Sequence, residues 1–273
     1  MKKLSYIVIA LLVLGSLGYG GYKAYAEIYG TPLVAWWNMD SNRVSGGVLS
    51  DVSGNGNDAT YSTNTVSVGV LAQAATIAGT TGNVFDFGEP AQLVTDLDEM
   101  TVSAWVRMTQ AEQENMLISW SRGNPHGSGQ QEVWIDVDTK TGQKLIRYTV
   151  NFDGASCIGV SGAGSFPNNT RWHHVAIVKS ATATEPGGFP AFYIDGVRKG
   201  FGDGCSNNRW YAPGNAALSS LDENKIGALN RGAGNLAIFQ SDIDDLRIYN
   251  RQLSAAEIAQ LYNQGLSEQF SDF

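Results

Sequence analysis

Cysteine is scarce here: the 273 residues hold two, Cys157 and Cys205. No Cys-x-x-Cys pair occurs, so thiolate zinc sites and dithiol redox sites are excluded. Histidine is nearly as rare. His173 and His174 are neighbours in a strand pattern and face opposite ways, and His126 stands alone among Gly, Asn and Pro, so no two of them clasp one metal. Basic residues are few, 18 Lys and Arg against 26 Asp and Glu, for a net charge of -8. That balance excludes a nucleic-acid partner, whose phosphates require basic patches, and suits divalent cations. There is no repeat of fixed period, no low-complexity segment, and a single long apolar run.

That run is N-terminal. Met1-Lys2-Lys3 precedes an uncharged stretch, Leu4 to Tyr22, most apolar from Tyr6 to Leu14. Positive residues followed by such a stretch signal export. Residues 1–26 read equally as a signal peptide cleaved after Ala24-Tyr25-Ala26 or as an uncleaved transmembrane anchor, a stretch of about 19 residues being just long enough to span a bilayer. Residues 27–32 form a linker, 33–265 a domain and 266–273 a tail. In an exported chain Cys157 and Cys205 are expected to form a disulfide. It would close a loop of about 49 residues, a contribution of roughly 4 kcal/mol by loop entropy.

What remains is abundant in glycine (32 residues), spaced between short apolar runs as a turn-rich β-protein requires. Alternating patterns predict strands over 33–40, 82–87, 100–108, 116–120, 132–137, 145–152, 171–178, 225–229 and 241–250. Asp195-Gly196 between β-formers predicts a hairpin. Ser41 to Thr60, rich in Gly, Ser, Asn and Asp, reads as one long loop. One short helix follows the last strand: Ser254 and Glu257 form a capping box, Ile258, Leu261 and Tyr262 an apolar stripe, and Gly265 is placed as its C-terminal cap. The reading is all-β, a jelly-roll sandwich of two antiparallel sheets with an N-terminal apolar helix and one short C-terminal helix.

In the last strand a two-residue period puts Asp244, Leu246 and Ile248 on one face. A carboxylate starting on the core side must be paired, capped by backbone N–H groups or bound to a metal. Upstream, Asp51, Asn55, Asn57 and Asp58 gather hard oxygens around Gly54 and Gly56. On the residues alone this loop reads either as a set of Asx turns or as a calcium loop, and its spacing is not that of an EF-hand.

Several phrases in order resemble the bacterial laminin-G-like group of the concanavalin A-like lectin/glucanase superfamily. They are Leu33-Val34-Ala35-Trp36-Trp37-Asn38-Met39-Asp40, Asp51 to Asp58, Met100 to Val106, Arg171 to Ala176, Phe192 to Gly196, and Ile243 to Asn250 with Leu253-Ser254 and Glu257-Ile258 after it. The resemblance implies first and last strands side by side, a non-catalytic extracellular binding module, and a structural calcium ion near that junction. Asp40, Asp51, Asn55, Asp58 and Asp244 are then the candidate metal ligands.

Glycan or surface-protein binding follows as the expected function, with Trp210 and Tyr211 as candidate stacking residues in the loop beside Cys205. A membrane-anchored surface or filament subunit that self-assembles is the alternative. Glycoside hydrolysis comes third. Asp136 and Asp138 share a strand face, but Trp134 and Asp138 occupy the two positions where the glucanase pattern Glu-x-Asp-x-Glu carries glutamates.

Overall fold

The computed structural model describes residues 33–269, apart from 64, 80–83, 95–96, 109–113, 122–130, 141, 153–154, 168, 181–189, 201, 204–222 and 231–235. Residues 1–32, with the apolar run, lie outside it. Among the described residues no helix is long and apolar enough to cross a membrane.

The domain is built of two antiparallel sheets. The first runs β15 (Val197–Arg198), β14 (Ala191–Ile194), β13 (Trp172–Lys179), β8 (Met100–Met108), β20 (Gln240–Tyr249), β6 (Gln73–Ala78), β5 (Thr65–Val68), with β1 (Leu33–Trp37) also pairing β20. The second runs β16 (Gly202–Asp203), β12 (Ala155–Val160), β11 (Leu145–Phe152), β10 (Gln131–Asp138), β9 (Glu114–Ser121), β17 (Lys225–Ile226), β7 (Phe85–Asp86), β4 (Ala59–Thr60), β3 (Val48–Leu49), β2 (Val44–Ser45). A separate ribbon joins β18 (Ala228–Asn230) to β19 (Leu236–Ile238). The inward residues of alternate positions, among them Val102 and Val106 of β8 and Ile135 of β10, meet in one buried cluster with Trp37, Trp120 and Tyr148. That is the arrangement expected where each strand gives every second residue to the core.

The expected first and last strands do lie side by side. The Asp195-Gly196 turn has the positive φ angles, 52° and 73°, that a tight hairpin demands. The stretch from Ser41 to Thr60 is not one loop: it carries β2, β3 and the two residues of β4.

The expected facing of β20 is corrected by a bulge. Register against β8 shifts between Asp244 and Arg247, and Asp245 has a φ of 53°. One extra residue reverses the parity of everything beyond it. Ile243 before the bulge and Leu246 and Ile248 after it therefore all enter the core, and Asp244 does not share their face.

Helix α2 (Ala255–Gln269) follows a short α1 (Ala91–Val94). Its capping box is formed: the Ser254 N–H donates to Glu257 Oε2 at 2.8 Å and the Glu257 N–H to Ser254 Oγ at 3.3 Å. Gly265 does not end it, since the helix continues to Gln269 through residues read as tail. The glycine answers a packing demand instead: a Cβ there would stand 2.4 Å from a ring carbon of Trp105. Tyr262, one turn earlier, stacks on the same indole with centroids 5.6 Å apart.

Candidate functional site

β5 and β6 are joined by the turn Gly69 to Ala72, and two carboxylates from distant strands dock on it. Asp244 Oδ2 accepts the N–H groups of Val70 at 2.8 Å and Leu71 at 2.9 Å. Asp40, just past β1, accepts the Gln73 N–H through Oδ1 at 3.2 Å, and the Gln73 side chain returns a bond by accepting the Ser41 N–H at 2.8 Å. Asn38 closes the group by donating Nδ2 to Asp40 Oδ2 at 2.7 Å. Each carboxylate thus has one oxygen tied to the turn, which fixes it in position.

Two buried oxygens of the group are not satisfied. Asp244 is fully buried, and its Oδ1 has no hydrogen-bond partner; nor has the buried Oδ1 of Asn38. A buried oxygen left unpaired costs about 1–3 kcal/mol, more when charged, unless something else meets it. The Asp244 carboxyl is pushed well above the usual range by burial first, then by the negative charges of Asp245 and Asp40, with the two turn N–H groups opposing. Burial raises Asp40 as well. Three non-glycine residues with left-handed backbone surround the group: Met39 at φ 56°, Ala72 at 59° and Asp245 at 53°. Such strain persists only where the surroundings hold it in place.

Asp51 belongs to a different arrangement. Its Oδ1 accepts the N–H groups of Trp36 (2.9 Å) and Ser53 (2.8 Å), and its Oδ2 accepts Ser53 Oγ (2.8 Å) and the Asn57 N–H (2.9 Å). Asp58 Oδ1 accepts the Asp51 N–H at 2.7 Å. The side-chain amides of Asn55 and Asn57 both donate to the Val34 carbonyl, at 3.0 and 2.7 Å. This loop caps its own backbone and ties itself to β1.

Of the five candidate metal ligands, then, Asp40 and Asp244 are brought to one turn, while Asp51, Asn55 and Asp58 are brought to another loop. Among the described residues no three His, Cys, Asp or Glu side chains are grouped to hold a metal. The Asp40–Asp244 group supplies two carboxylates and the Asn38 amide oxygen, a hard-oxygen set compatible with calcium, which draws further ligands from backbone carbonyls and water. Asn38 is the member that strand pattern missed. Its signal is its place two residues before Asp40, where the left-handed turn at Met39 lets the two side chains meet.

Trp210, Tyr211 and Cys205 lie outside the described residues. Cys157 is buried, and no described cysteine is free. His173 is structural: its Nδ1 pairs with Asp195 at 2.8 Å and its Nε2 with Asn169 at 2.9 Å. His174 is buried beside Trp105, with a pKa lowered to about 3, chiefly by burial. Asp136, a candidate for hydrolytic chemistry, is gripped by the Arg147 guanidinium at 2.8 Å, which also reaches Asp138 at 3.2 Å.

No curated protein matches the chain in sequence. Among solved structures it is similar to the binding domain of the paraclostridial mosquitocidal protein 1, with 15% identity and a TM-score of 0.58 over 85% of this chain and 52% of that one. The chain thus spans about half the length of that domain. Domain 4 of an extracellular arabinanase from Geobacillus stearothermophilus, solved with arabinotriose, matches with 20% identity and a TM-score of 0.58 over 84% of this chain and 98% of that one. The sialidase of Trypanosoma rangeli matches with 16% identity and a TM-score of 0.52, over 85% of this chain and 32% of that one. At such identities these likenesses establish the fold alone. A laminin-G-like sequence profile matches residues 78–259, and the chain belongs to the concanavalin A-like lectin/glucanases superfamily.

Proposed function

We propose that the chain is an exported, non-catalytic binding module for a glycan or other surface ligand, with calcium as a structural ion. The observation that carries the reading is the buried, unpartnered Oδ1 of Asp244, close enough to Asp40 to feel its negative charge. Asp244, Asp40 and the Asn38 amide oxygen would hold the ion, which would fix the β5–β6 turn against both terminal strands. The arabinanase domain was solved with an arabinose oligomer and the toxin domain is named for binding, so the fold serves recognition elsewhere. Asp136, tied to Arg147, is poorly placed to act as a nucleophile, which favours binding over hydrolysis. Disulfide pairing of Cys157 with Cys205 belongs to the same exported reading.

Thermal unfolding with calcium and with chelator, beside Asp244→Asn, tests it. Calcium at 100 times its Kd is expected to add about 2.7 kcal/mol to the wild type and little to the variant. Labelled protein on a glycan array is expected to bind only with calcium present, and polysaccharides incubated with it to release no reducing ends. An array without signal and an unfolding curve indifferent to chelator would overturn the reading.

One observation favours self-assembly instead. Both edges of the first sheet show apolar side chains, Val68 of β5 at 76% exposure and Val197 of β15 at 58%. Such edges are templates for pairing with another chain. Concentration-dependent sedimentation of the wild type, lost in Val68→Lys, would support that alternative.

A further inference from the structure

Asparagine followed by glycine occurs once in the chain, at Asn55-Gly56, within the loop that ties itself to β1. The pair is chemically distinct. A backbone nitrogen can attack the side chain of the asparagine before it, and any side chain on the attacking residue hinders the approach. Glycine has none, and its backbone reaches conformations closed to other residues.

The fold leaves the nucleophile free. Gly56 is exposed, its N–H makes no hydrogen bond among the described residues, and a Cβ built on it would meet nothing within 4 Å. The electrophile is exposed as well, but tethered. Asn55 Nδ2 donates to the Val34 carbonyl at 3.0 Å and to Ser53 Oγ at 3.1 Å. Both bonds are made by the nitrogen that the attack would displace. Other asparagines are protected: Asn57, Asn115 and Asn224 are buried and precede residues with side chains. The Asp195-Gly196 turn shares the glycine, but its side chain is a carboxylate, a poor target for an amide nitrogen. Its two oxygens are also held, by His173 Nδ1 at 2.8 Å and the His174 N–H at 3.0 Å.

We infer that Asn55 is a built-in modification site: in the folded chain its side-chain amide is lost as ammonia through cyclisation onto the Gly56 nitrogen, and the product loosens the loop from β1. The Gly56 nitrogen bonds to Asn55 Cγ, the Cγ–Nδ2 bond breaks, and the displaced nitrogen leaves as ammonia with the hydrogen that Gly56 gives up. Water then opens the cyclic imide at either carbonyl, to aspartate or to isoaspartate. The net change is one water consumed and one ammonia released, with nothing oxidised or reduced.

The structure gives each product a consequence. Aspartate has no N–H for Val34 or Ser53, and it sets an anionic oxygen where the Val34 carbonyl received a donor. It also adds a negative charge to a loop already holding Asp51 and Asp58, where Asp58 Oδ1 accepts the Asp51 N–H. Isoaspartate routes the backbone through the former side chain and lengthens it by one carbon. That insertion falls between the Asn55 N–H, bound to Ser53 Oγ at 3.2 Å, and the Asn57 N–H, bound to Asp51 Oδ2 at 2.9 Å. The Asn57 amide still reaches Val34, so the loop is loosened and not released.

The test ages the full chain at neutral and mildly alkaline pH, beside a urea-unfolded sample, and maps the peptides by mass spectrometry. In the folded chain Asn55 should convert several-fold faster than any other asparagine. Its rate should rise in proportion to hydroxide, since the Gly56 amide must lose its proton, and isoaspartate should appear among the products. Gly56→Asn places a residue that tolerates left-handed backbone at the φ of 77° and should slow the conversion several-fold. Hydrogen exchange reads the consequence without ageing. Asn55→Asp should speed exchange of the Trp36, Ser53 and Asn57 amides several-fold while leaving β8 unchanged, and Asn55→Ala, without the charge, should do less. Conversion in the unfolded chain alone would show that the Val34 and Ser53 bonds protect Asn55, and would overturn the site. Aspartate without isoaspartate, formed as fast in Gly56→Asn, would overturn the cyclic route. Exchange in Asn55→Asp equal to that of the wild type would overturn the loosening.

Discussion

Asp244 and Gly69 are so close that a Cβ on the glycine would stand 2.5 Å from the carboxylate Oδ2 and 2.6 Å from the Gln73 carbonyl. Side chains do not tolerate that approach, so the turn can reach Asp244 only without one. Gly69→Ala is expected to move the turn off Asp244, destabilise the domain by about 1–3 kcal/mol as overpacking does, and abolish any stabilisation by calcium. Urea unfolding with calcium and with chelator measures both effects.

The raised pKa of Asp244 fixes the sign of a pH dependence. The folded state keeps its proton to a higher pH than the unfolded chain, whose Asp titrates near about 3.9. Without calcium, this group's contribution to stability is therefore fully present below that value and is lost as pH rises to the folded pKa. Asp40 is shifted the same way. Calcium needs the ionised carboxylates, so its affinity should rise with pH over the same interval. Melting temperatures across pH with chelator and with calcium should slope in opposite directions there, and Asp244→Asn should flatten both.

The Asp51 loop should behave independently. Asp51→Ala deprives four donors of their acceptor and is expected to cost about 2–4 kcal/mol. The calcium-dependent increment in stability should survive, because none of those bonds touches Asp40 or Asp244. Loss of the increment in this variant would mean that the two groups act as one.

Gly265→Ala sets two effects against each other. Alanine in a helix interior gains about 1 kcal/mol over glycine, but its methyl would enter the Trp105 ring. The clash is expected to win by about 1–2 kcal/mol, with altered Trp fluorescence reporting a lifted helix. A stabilised variant would show that α2 has room to shift.

Much of the fold was legible because β8 and β11 alternate strongly between clear turn signals, and their bounds, Met100–Met108 and Leu145–Phe152, come out as the pattern gives them. The hairpin of β5 and β6 was not, since Gln73-Ala74-Ala75-Thr76-Ile77-Ala78 has three alanines where strands favour branched residues. Those small residues leave no alternation to detect. The turn that receives Asp40 and Asp244 was therefore invisible, although both carboxylates were named. The facing of Asp244 failed because a period of two carries no sign of an inserted residue. Gly265 misled for the opposite reason: glycine marks a helix end and a close contact with the same letter.

The position of β1 has a mechanical consequence. Any load applied to the chain before Leu33 would enter at this strand, and β1 is fastened along its length. Val34 and Trp36 are bound to the Asx loop, Trp36 also donates to Asp245 of β20, and Asn38 and Asp40 continue to the β5–β6 turn. A load entering there is shared at once by the last strand and by two loops before it reaches the apolar interior. The strand by which the domain joins the preceding chain is thus a riveted seam, and a cation at Asp244 would add one more rivet.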